Sequence, residues 1–235
     1  MRSLRSARRR RRARAAHFTA KLVLASASPR RQALIGLLGL EWSAAPPALD
    51  EDRYLLDEPF ISALNVALAK ARATTSDDED LVVAADTIVA LDGNPLGKPA
   101  DAEAATAMLT TLRGRPHAVL TGLVLRTFEG REWGAVVSTG VFMRPYSEAE
   151  IAAYVARGEP FDKAGGYAVQ DALFRPVEHC KGCYLNVVGL PLCAVAAGLN
   201  ALGVSVAQAE SPPCRYCVAG APLVEIAQDP ERSIY

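Results

Sequence analysis

Hydrophobic positions along this chain follow two periods, one typical of buried strands and the other typical of amphipathic helices. Short uninterrupted apolar runs favour strands, whereas apolar residues three and four positions apart favour helices. Clusters of Gly, Pro, Asn and Asp separate these runs and indicate turns, such as the one at Asp92-Gly93. The pattern predicts strands over residues 22–26, 81–91 (interrupted at Asp86), 117–128, 133–143 and 184–188, and helices over 29–39, 59–73, 101–112, 148–158 and 192–202.

Local signals support several helix starts. Ser28 suits the cap position and Pro29 suits the first helical position, so Arg30 and Arg31 fall in the first helical turn. Ser147 and Glu150 have the spacing of a capping box. Helices that alternate with buried strands, together with one hairpin joined through residues 129–131, predict an α/β fold with a mixed central sheet and flanking helices.

Charge is distributed unevenly along the chain. The 26 Lys and Arg residues balance the 26 Asp and Glu residues, but residues 1–17 are Arg-rich and contain no acid, so the remainder is net negative. An acidic domain that handles a polyanion needs its positive charge concentrated at one site, which argues against a broad nucleic-acid surface. We expect a disordered Arg-rich tail over residues 1–20, a globular domain over 21–203 and a C-terminal extension over 204–235.

The segment from Gly182 to Ala209 contains no charged residue and is long enough to suggest a membrane span. Gly189, Pro191 and Gly203 interrupt it, so a strand, a turn and a helix are predicted instead, and no membrane partner is expected. The N-terminal tail lacks the long apolar run of a secretory signal, and it has only a weak apolar face for a transit peptide. These features predict a soluble, cytoplasmic protein.

Arg30 and Arg31 are the first candidates for a binding site. A helix start offers unpaired backbone N–H groups and the positive end of the helix dipole, which together attract phosphate. Cations at this position oppose the dipole unless an anion neutralises them. The turn therefore favours a phosphate site, and two solvated surface arginines are the alternative.

Asp86 and Thr87 follow the hydrophobic run LVVAA. An aspartate at the end of a buried strand loses hydration energy unless it has a partner, and a divalent metal ion or a positioned water is a natural one. A turn-forming aspartate is the ordinary alternative.

Two further segments carry polar side chains beside glycines. Lys98 closes the loop GNPLGKP, which is not a P-loop because Pro99 replaces the Ser or Thr that holds magnesium. Lys98 can still place a point charge on a phosphate. Gln170 follows the paired glycines Gly165-Gly166, and its amide carries both the donor and the acceptor needed to recognise a base edge.

Taken in order, these segments resemble the Maf family of nucleotide pyrophosphatases. The resemblance spans about residues 22–202, and it implies a Maf-like pyrophosphatase domain over 21–203 with two lobes around a cleft, like the inosine-triphosphate pyrophosphatases, and a homodimer. The matching stretches are LVLASASPRRQALI, ALDED, ALAKARA, VVAADTIVALDGNPLGKP, AMLTTLRGRPHAVLTG, SEAEIAAYVARGEPFDKAGGYAVQ and YLNVVGLPL.

The resemblance also implies the chemistry, which is cleavage of a nucleoside triphosphate between its α and β phosphates with Mg²⁺ or Mn²⁺. Asp86 would be the catalytic base or metal-linked acid, with Glu51 as a further acid near the metal. Gln170 stands where relatives specialised for 7-methyl-GTP have glutamate, which favours dTTP and UTP as substrates. The implied substrate-binding residues are Arg30, Arg31, Lys70 and Lys98 for phosphate, and Arg30, Thr87 and Gln170 for substrate choice.

Two features depart from the family pattern. The family commonly continues after Gln170 with a glycine-rich turn, whereas this chain has DALFRP, which puts the shape of that loop in question. The chain also carries two Cys-x-x-Cys pairs, Cys180 with Cys183 and Cys214 with Cys217. Such pairs can supply four thiolates to a structural zinc ion, and independent reduced cysteines are the alternative.

Two other functions remain open from the sequence. The same hydrolysis can act on 7-methyl-GTP or another purine nucleotide. Alternatively, the Arg-rich arm can bind nucleic acid in a regulatory protein whose hydrolase-like core is only a scaffold. The cluster of phosphate-site residues in the core argues against nucleic acid as the partner and for a small nucleotide.

Overall fold

One mixed sheet forms the centre of the molecule. The computed structural model describes residues 21–77 and 80–204, so the predicted tail and nearly all of the predicted extension lie outside the described residues. The strands of this part are β1 (Leu22–Leu24), β2 (Trp42–Ala44), β3 (Leu81–Leu91), β4 (Asn94–Leu96), β5 (Pro116–Thr127), β6 (Glu132–Met143) and β7 (Val177–Lys181). They form a sheet in the order β2-β1-β3-β5-β6-β7, with β4 also paired to β3.

The strand directions confirm the predicted mixed sheet. β1 runs parallel to both β2 and β3, whereas the β3–β5, β5–β6 and β6–β7 pairs are antiparallel. The predicted hairpin is confirmed as the long β5–β6 pair. The Asp92-Gly93 turn is also confirmed, with φ angles of 51° and 81°, and it joins β3 to β4.

Helices flank the sheet, and their local start signals hold. They are α1 (Pro29–Gly36), α2 (Pro59–Ala73), α3 (Ala102–Leu112), α4 (Glu148–Ala156), α5 (Tyr184–Val188) and α6 (Leu192–Ala201), with short 3₁₀ turns at Glu51–Tyr54, Glu159–Asp162 and Ala164–Gly166. The Ser28 hydroxyl accepts a hydrogen bond from the first turn of α1, and Ser147 forms the predicted capping box with Glu150.

The strand predicted over residues 184–188 is wrong, because this segment is helix α5. The position beside β6 is taken by β7 instead, which pairs antiparallel with it. A short apolar run has no period that separates strand from helix. Gly189, with φ at 126°, ends α5, and Asn186 is its buried residue.

The interruption at Asp86 predicted for the strand over residues 81–91 is also wrong. β3 runs without a break from Leu81 to Leu91. β5 pairs with it at every residue from Leu81 to Ala90, and these backbone hydrogen bonds keep the chain extended through Asp86. The aspartate therefore lies within the strand and not at its end.

The core lies on both faces of this sheet. Helix α2 covers one face, where even-numbered residues of β3 such as Val82 and Ala84 pack. On the opposite face, two separate apolar clusters pack at the two ends of the strands, one against α6 and the other against α3 and α4. The gap between these two clusters gives the molecule the predicted two lobes around a cleft.

Candidate active site

The cleft opens where the edge of β3 has no neighbouring strand. β1 pairs only with Leu22 to Leu24 against Leu81 to Val83, and β4 pairs only with Val89 to Leu91 of β3. Both short strands lie on the edge of β3 opposite β5, so the residues between them are left uncovered. The resulting cleft has a volume of about 960 Å³. All eight site residues predicted from the sequence line it: Arg30, Arg31, Glu51, Lys70, Asp86, Thr87, Lys98 and Gln170.

Asp86 and Thr87 lie in this uncovered stretch, and strand alternation directs them to opposite faces. Asp86 shares its face with Val82 and Ala84 and therefore meets α2. Thr87 shares its face with Val83 and meets Arg31. The two neighbouring residues therefore contact different cations, Lys70 and Arg31.

Lys70 is the partner of Asp86. It lies in the last turn of α2, with only 6% of the residue exposed. Its Nζ is 2.8 Å from Asp86 Oδ1 and 2.7 Å from Glu51 Oε2, so one buried ammonium group bridges two carboxylates. The ion pair with Lys70 offsets the hydration energy that Asp86 loses on burial. The same lysine keeps both carboxylates at the cleft.

Arg31 lies on the other side of the cleft, and neutral oxygen atoms hold its guanidinium group. Nε donates to Gly189 O at 2.9 Å, one terminal nitrogen donates to Thr87 Oγ1 at 3.0 Å, and the other donates to Ser26 Oγ at 3.4 Å. Burial lowers the pKa of Arg31, and the negative charges of Asp86 and Glu51 oppose that shift. Arginine stays protonated nevertheless, so a positive charge with no direct carboxylate partner among the described residues faces the cleft.

Arg30 forms a different contact, with an acid that the sequence analysis did not select. Its guanidinium is 3.2 Å from Asp162 Oδ2, and Lys163 Nζ is 2.6 Å from the other oxygen of the same carboxylate. Burial alone would raise the pKa of Asp162, but the hydrogen bond and charge of Lys163, with those of Arg30, keep it below its ordinary value. Asp162 and Lys163 both line the cleft. Their only sequence signal was their place beside Gly165-Gly166.

Lys98 and Gln170 are exposed at the rim of the cleft. The loops that carry them are tied together, because Gly165 N donates to Gly97 O at 3.0 Å. Gly165 has a φ of 73°, and a Cβ at this position would lie 3.0 Å from Val89 Cγ1. Glycine is therefore required for this close approach.

The loop that departs from the family pattern has its own means of turning the chain. The Asp171 carboxylate accepts hydrogen bonds from Phe174 N at 2.7 Å and Leu173 N at 3.1 Å, and it also pairs with Arg157. Phe174 is buried and stacks on the Tyr154 ring at 4.4 Å between ring centroids. An aspartate-centred turn anchored by an aromatic side chain thus replaces the glycine-rich turn.

A buried pair lies behind the cleft. His117 Nε2 and Tyr167 Oη are 2.6 Å apart, and His117 Nδ1 has no hydrogen-bond partner among residues 21–77 and 80–204. Burial lowers the pKa of His117 to about 4 and raises the pKa of Tyr167 well above its ordinary value. The pair is therefore neutral near pH 7. The sequence analysis did not select either residue.

A family model described as Maf-like protein matches residues 21–202. The chain belongs to the Maf family. Among the similar curated proteins, the dTTP/UTP pyrophosphatase of Thermomicrobium roseum is 46% identical over 206 residues, covering 83% of this chain and 92% of its own length. The dTTP/UTP pyrophosphatase of Citrifermentans bemidjiense is 42% identical over 186 residues, covering 77% of this chain and 95% of its own length.

One solved structure is a weaker match to this Maf protein. It is a nucleoside-triphosphatase, dITP/XTP pyrophosphatase from Mycobacterium abscessus, with a TM-score of 0.34 at 20% identity, covering 54% of this chain and 75% of that chain. In the part of the Maf chain that the structure describes, none of the helices has the length and apolar character of a membrane crossing.

The carboxylates of the Maf site are suitable ligands for a hard divalent cation. Asp86 and Glu51 approach one Lys70 nitrogen with one oxygen each, so their second oxygens are available to a metal ion. Mg²⁺ is commonly held by one or two carboxylates together with substrate phosphates and water. No group of three or more His, Cys, Asp or Glu residues forms a metal site among the described residues, so substrate and water would complete the coordination.

The predicted zinc site lies partly outside the described residues. Cys180 is partly buried within β7 and Cys183 is buried just before α5, whereas Cys214 and Cys217 lie outside the described part of the chain. Burial raises the pKa of the Cys180 thiol, which favours its protonated form. The four-cysteine site therefore stays a prediction.

Proposed function

We propose that this Maf protein hydrolyses dTTP and UTP to the nucleoside monophosphate and pyrophosphate. Relatives with that activity in their names match it at 42–46% identity over most of their length. The observation that carries the proposal is the Asp86 carboxylate, 2.8 Å from buried Lys70, in a cleft that also contains Arg31. Asp86 lies between the cations on the two sides of the cleft, Lys70 and Arg31, an arrangement that suits cleavage of a polyphosphate.

The cations of the cleft would bind the triphosphate from both sides. Arg31 has five N–H donors, and the three hydrogen bonds that it makes to neutral oxygens leave donors for phosphate. Lys70 lies deeper, beside Asp86, and Lys98 extends from the rim. Arg30 would exchange its contact with Asp162 for a phosphate oxygen, since both groups are partly exposed at the cleft.

Asp86 would orient the attacking water. Lys70 engages Oδ1. Oδ2 has two lone pairs, so it can accept the water proton with one and contact a metal ion with the other. The water oxygen forms a bond to the α-phosphorus as the bond from that phosphorus to the α–β bridging oxygen breaks. Pyrophosphate leaves with the bridging oxygen, and Asp86 takes the water proton. The nearby cations stabilise the charge that develops on the phosphate oxygens.

A divalent metal ion, Mg²⁺ or Mn²⁺, is part of the proposal. Asp86 and Glu51 would hold it, and when bound it supplies positive charge to the phosphate oxygens. The charged side chains that line the cleft among the described residues support this need for a cation. The protein alone neutralises little of the charge of a triphosphate, because five of these side chains are cationic and four are anionic. The cationic residues are Arg30, Arg31, Lys70, Lys98 and Lys163, and the anionic residues are Glu51, Asp52, Asp86 and Asp162.

Substrate choice would depend on Arg30, Thr87 and Gln170. The exposed Gln170 amide at the rim can recognise a pyrimidine edge, because it offers a donor and an acceptor together. Thr87 would act through its hydrogen bond to Arg31. A panel of nucleoside triphosphates that includes 7-methyl-GTP distinguishes the pyrimidine preference from the purine alternative, with release of monophosphate plus pyrophosphate as the readout.

Replacement of the proposed base tests the mechanism. We expect Asp86→Asn to lower turnover of dTTP at least about a hundredfold, since a positioned base contributes that much or more. Asp92→Asn is the matched control, because Asp92 lies just after the same strand and also pairs with a cation, Arg115, at 2.6 Å. The control should keep its turnover within about twofold. Near-normal pyrophosphate release by Asp86→Asn would refute the role of Asp86.

The cytoplasmic location and the homodimer expected from the sequence are further parts of this proposal. Light scattering on the purified full chain tests the dimer, with a mass of twice 25.0 kDa as the expected result. A mass of 25.0 kDa at micromolar concentration would contradict it.

A further inference from the structure

A buried polar network extends from the cleft into the core, and the proposed function uses only its outer end, Arg31 and Thr87. Arg31 donates to Thr87 Oγ1 at 3.0 Å, and Thr87 Oγ1 lies 2.9 Å from Thr121 Oγ1. Thr121 donates in turn to the backbone carbonyl of Asn186 at 3.3 Å. Because Thr121 gives its single hydroxyl proton to that carbonyl, the bond between the two hydroxyl groups is donated by Thr87, and the network runs in one direction from the guanidinium to helix α5.

The side chain of Asn186 fixes α5 on the sheet. Asn186 is fully buried, and its Nδ2 donates to Val119 O of β5 and to Thr139 Oγ1 of β6, both at 3.0 Å. Thr139 also accepts from the backbone N–H of Cys183 at 3.1 Å, just before α5 begins. Asn186 is the fully buried residue of this five-residue helix, so its amide hydrogen bonds add to the packing of Leu185 and Val188 against the core.

The same helix presents the acceptors that orient the site. The backbone carbonyl of Asn186 accepts a hydrogen bond from the Thr121 hydroxyl. The carbonyl of Gly189, directly after the helix, accepts one from Arg31 Nε at 2.9 Å. Both contacts depend on where α5 lies. Asn186 Oδ1 is buried without a hydrogen-bond partner in the described part of the chain, which is an unfavourable arrangement for packing alone.

We propose that Asn186 is a positioning residue of the phosphate site, which holds α5 so that its carbonyl groups orient Thr87 and Arg31. This inference rests on the proposed function, because it assigns Arg31 to the substrate. Asn186 touches no reacting atom and acts only through these two residues.

The test compares Asn186→Leu with Thr121→Val, each alone and combined with Thr87→Val. We expect each single variant to lower kcat/KM for dTTP by about tenfold, which is the scale of a lost hydrogen bond to a charged group. Because all three act through one network, the combined variants should be no more than about threefold worse than the worse single variant. Effects that multiply in both combinations would overturn the proposal. Thr121→Val is close to isosteric. If Asn186→Leu does not fold, Thr121→Val can still be measured alone and combined with Thr87→Val.

A second measurement does not depend on activity. Hydrogen exchange of the Arg31 Nε–H, followed by NMR and assigned with Arg31→Lys, should be at least about tenfold faster in Asn186→Leu or Thr121→Val than in the unaltered chain. Unchanged exchange in both variants would overturn the proposal even if the chain does not cleave dTTP. Failure of the unaltered chain to cleave any triphosphate would instead contradict the proposed function.

The control removes a buried hydrogen bond of similar strength far from the cleft. Tyr146 is buried in the other lobe and donates to Leu109 O at 2.7 Å. Tyr146→Phe should keep kcat/KM within about twofold and leave the Arg31 exchange rate unchanged. A loss as large as that of Asn186→Leu would show that any buried polar deletion impairs the site, and would overturn the specific role of Asn186.

Discussion

At the residue scale, burial decides which side chains of this protein are charged. Lys70 remains paired because two carboxylates lie within 2.8 Å of its Nζ. Within the described part of the chain the hydrogen-bond partner of His117 is the neutral Tyr167, and burial holds the pKa of His117 at about 4. The same loss of hydration is therefore offset by ion pairing in one case and by loss of the proton in the other.

The low pKa of His117 predicts that stability depends on pH. The unfolded chain takes up the proton near pH 6.5 and the folded protein only near pH 4, so the free energy of unfolding should fall as pH decreases through this range. The contribution is about 3 kcal/mol at most, and it is fully present above pH 6.5. Urea denaturation at pH 7 and at pH 4.5 measures it.

His117→Gln is the control for this prediction, since glutamine can still bond to Tyr167 but does not titrate. The loss of stability between pH 7 and pH 4.5 should be smaller in this variant than in the unaltered chain. An identical pH dependence in both proteins would show that His117 contributes nothing.

At the element scale, the position of α2 depends on one glycine in β5. Gly122 lies opposite Asp86 across the β3–β5 pair. A Cβ at Gly122 would lie only 2.2 Å from the carbonyl oxygen of Ala63, which belongs to the backbone of α2. The helix that carries Lys70 therefore packs with its backbone directly on the sheet, and glycine permits that contact.

Gly122→Ala should therefore destabilise the protein by about 1–3 kcal/mol, because the helix backbone must move to admit the methyl group. Activity should fall as well, since Lys70 moves with α2. Gly140→Ala is the matched control: Gly140 also lies inside the hairpin, but its Cβ would meet other atoms no closer than 3.7 Å. Urea denaturation of both variants gives the comparison, and equal stabilities would contradict the role assigned to Gly122.

At the scale of the whole molecule, the cleft exists because two strands are too short to cover the whole edge of β3. β1 and β4 pair with opposite ends of the same edge of β3, and the gap between them becomes the cleft. Apolar clusters on either side of that gap support it. The fold should therefore persist when the metal ion proposed for catalysis is removed.

Chelation tests that expectation. Removal of divalent cations with EDTA should abolish pyrophosphate release and shift the melting temperature of the nucleotide-free protein by less than about 3 °C, since a change of 1 kcal/mol gives roughly that shift. Added Mg²⁺ or Mn²⁺ should restore activity. Full activity in EDTA would refute the metal requirement, whereas unfolding in EDTA would show that a metal ion supports the fold.

The sequence by itself determined the features that depend on a few consecutive residues. The cap at Ser28, the capping box at Ser147, the Asp92-Gly93 turn and the β5–β6 hairpin all follow from local hydrogen bonding and backbone preference. The mixed α/β fold followed from the alternation of these elements. Motif resemblance also selected eight residues that line one cleft.

Only the tertiary structure decided what depends on partners distant in the chain. β3 continues through Asp86 because β5 pairs along it, and the carboxylate is tolerated there because Lys70, sixteen residues away in sequence, meets it. Residues 184–188 form a helix that the buried Asn186 amide anchors to β5 and β6, and β7 is the strand that pairs beside β6. Asp162 gains its role only when Arg30, 132 residues away in sequence, lies beside it. Such contacts leave no periodic signal, because the energy that selects them arises only when distant segments pack together.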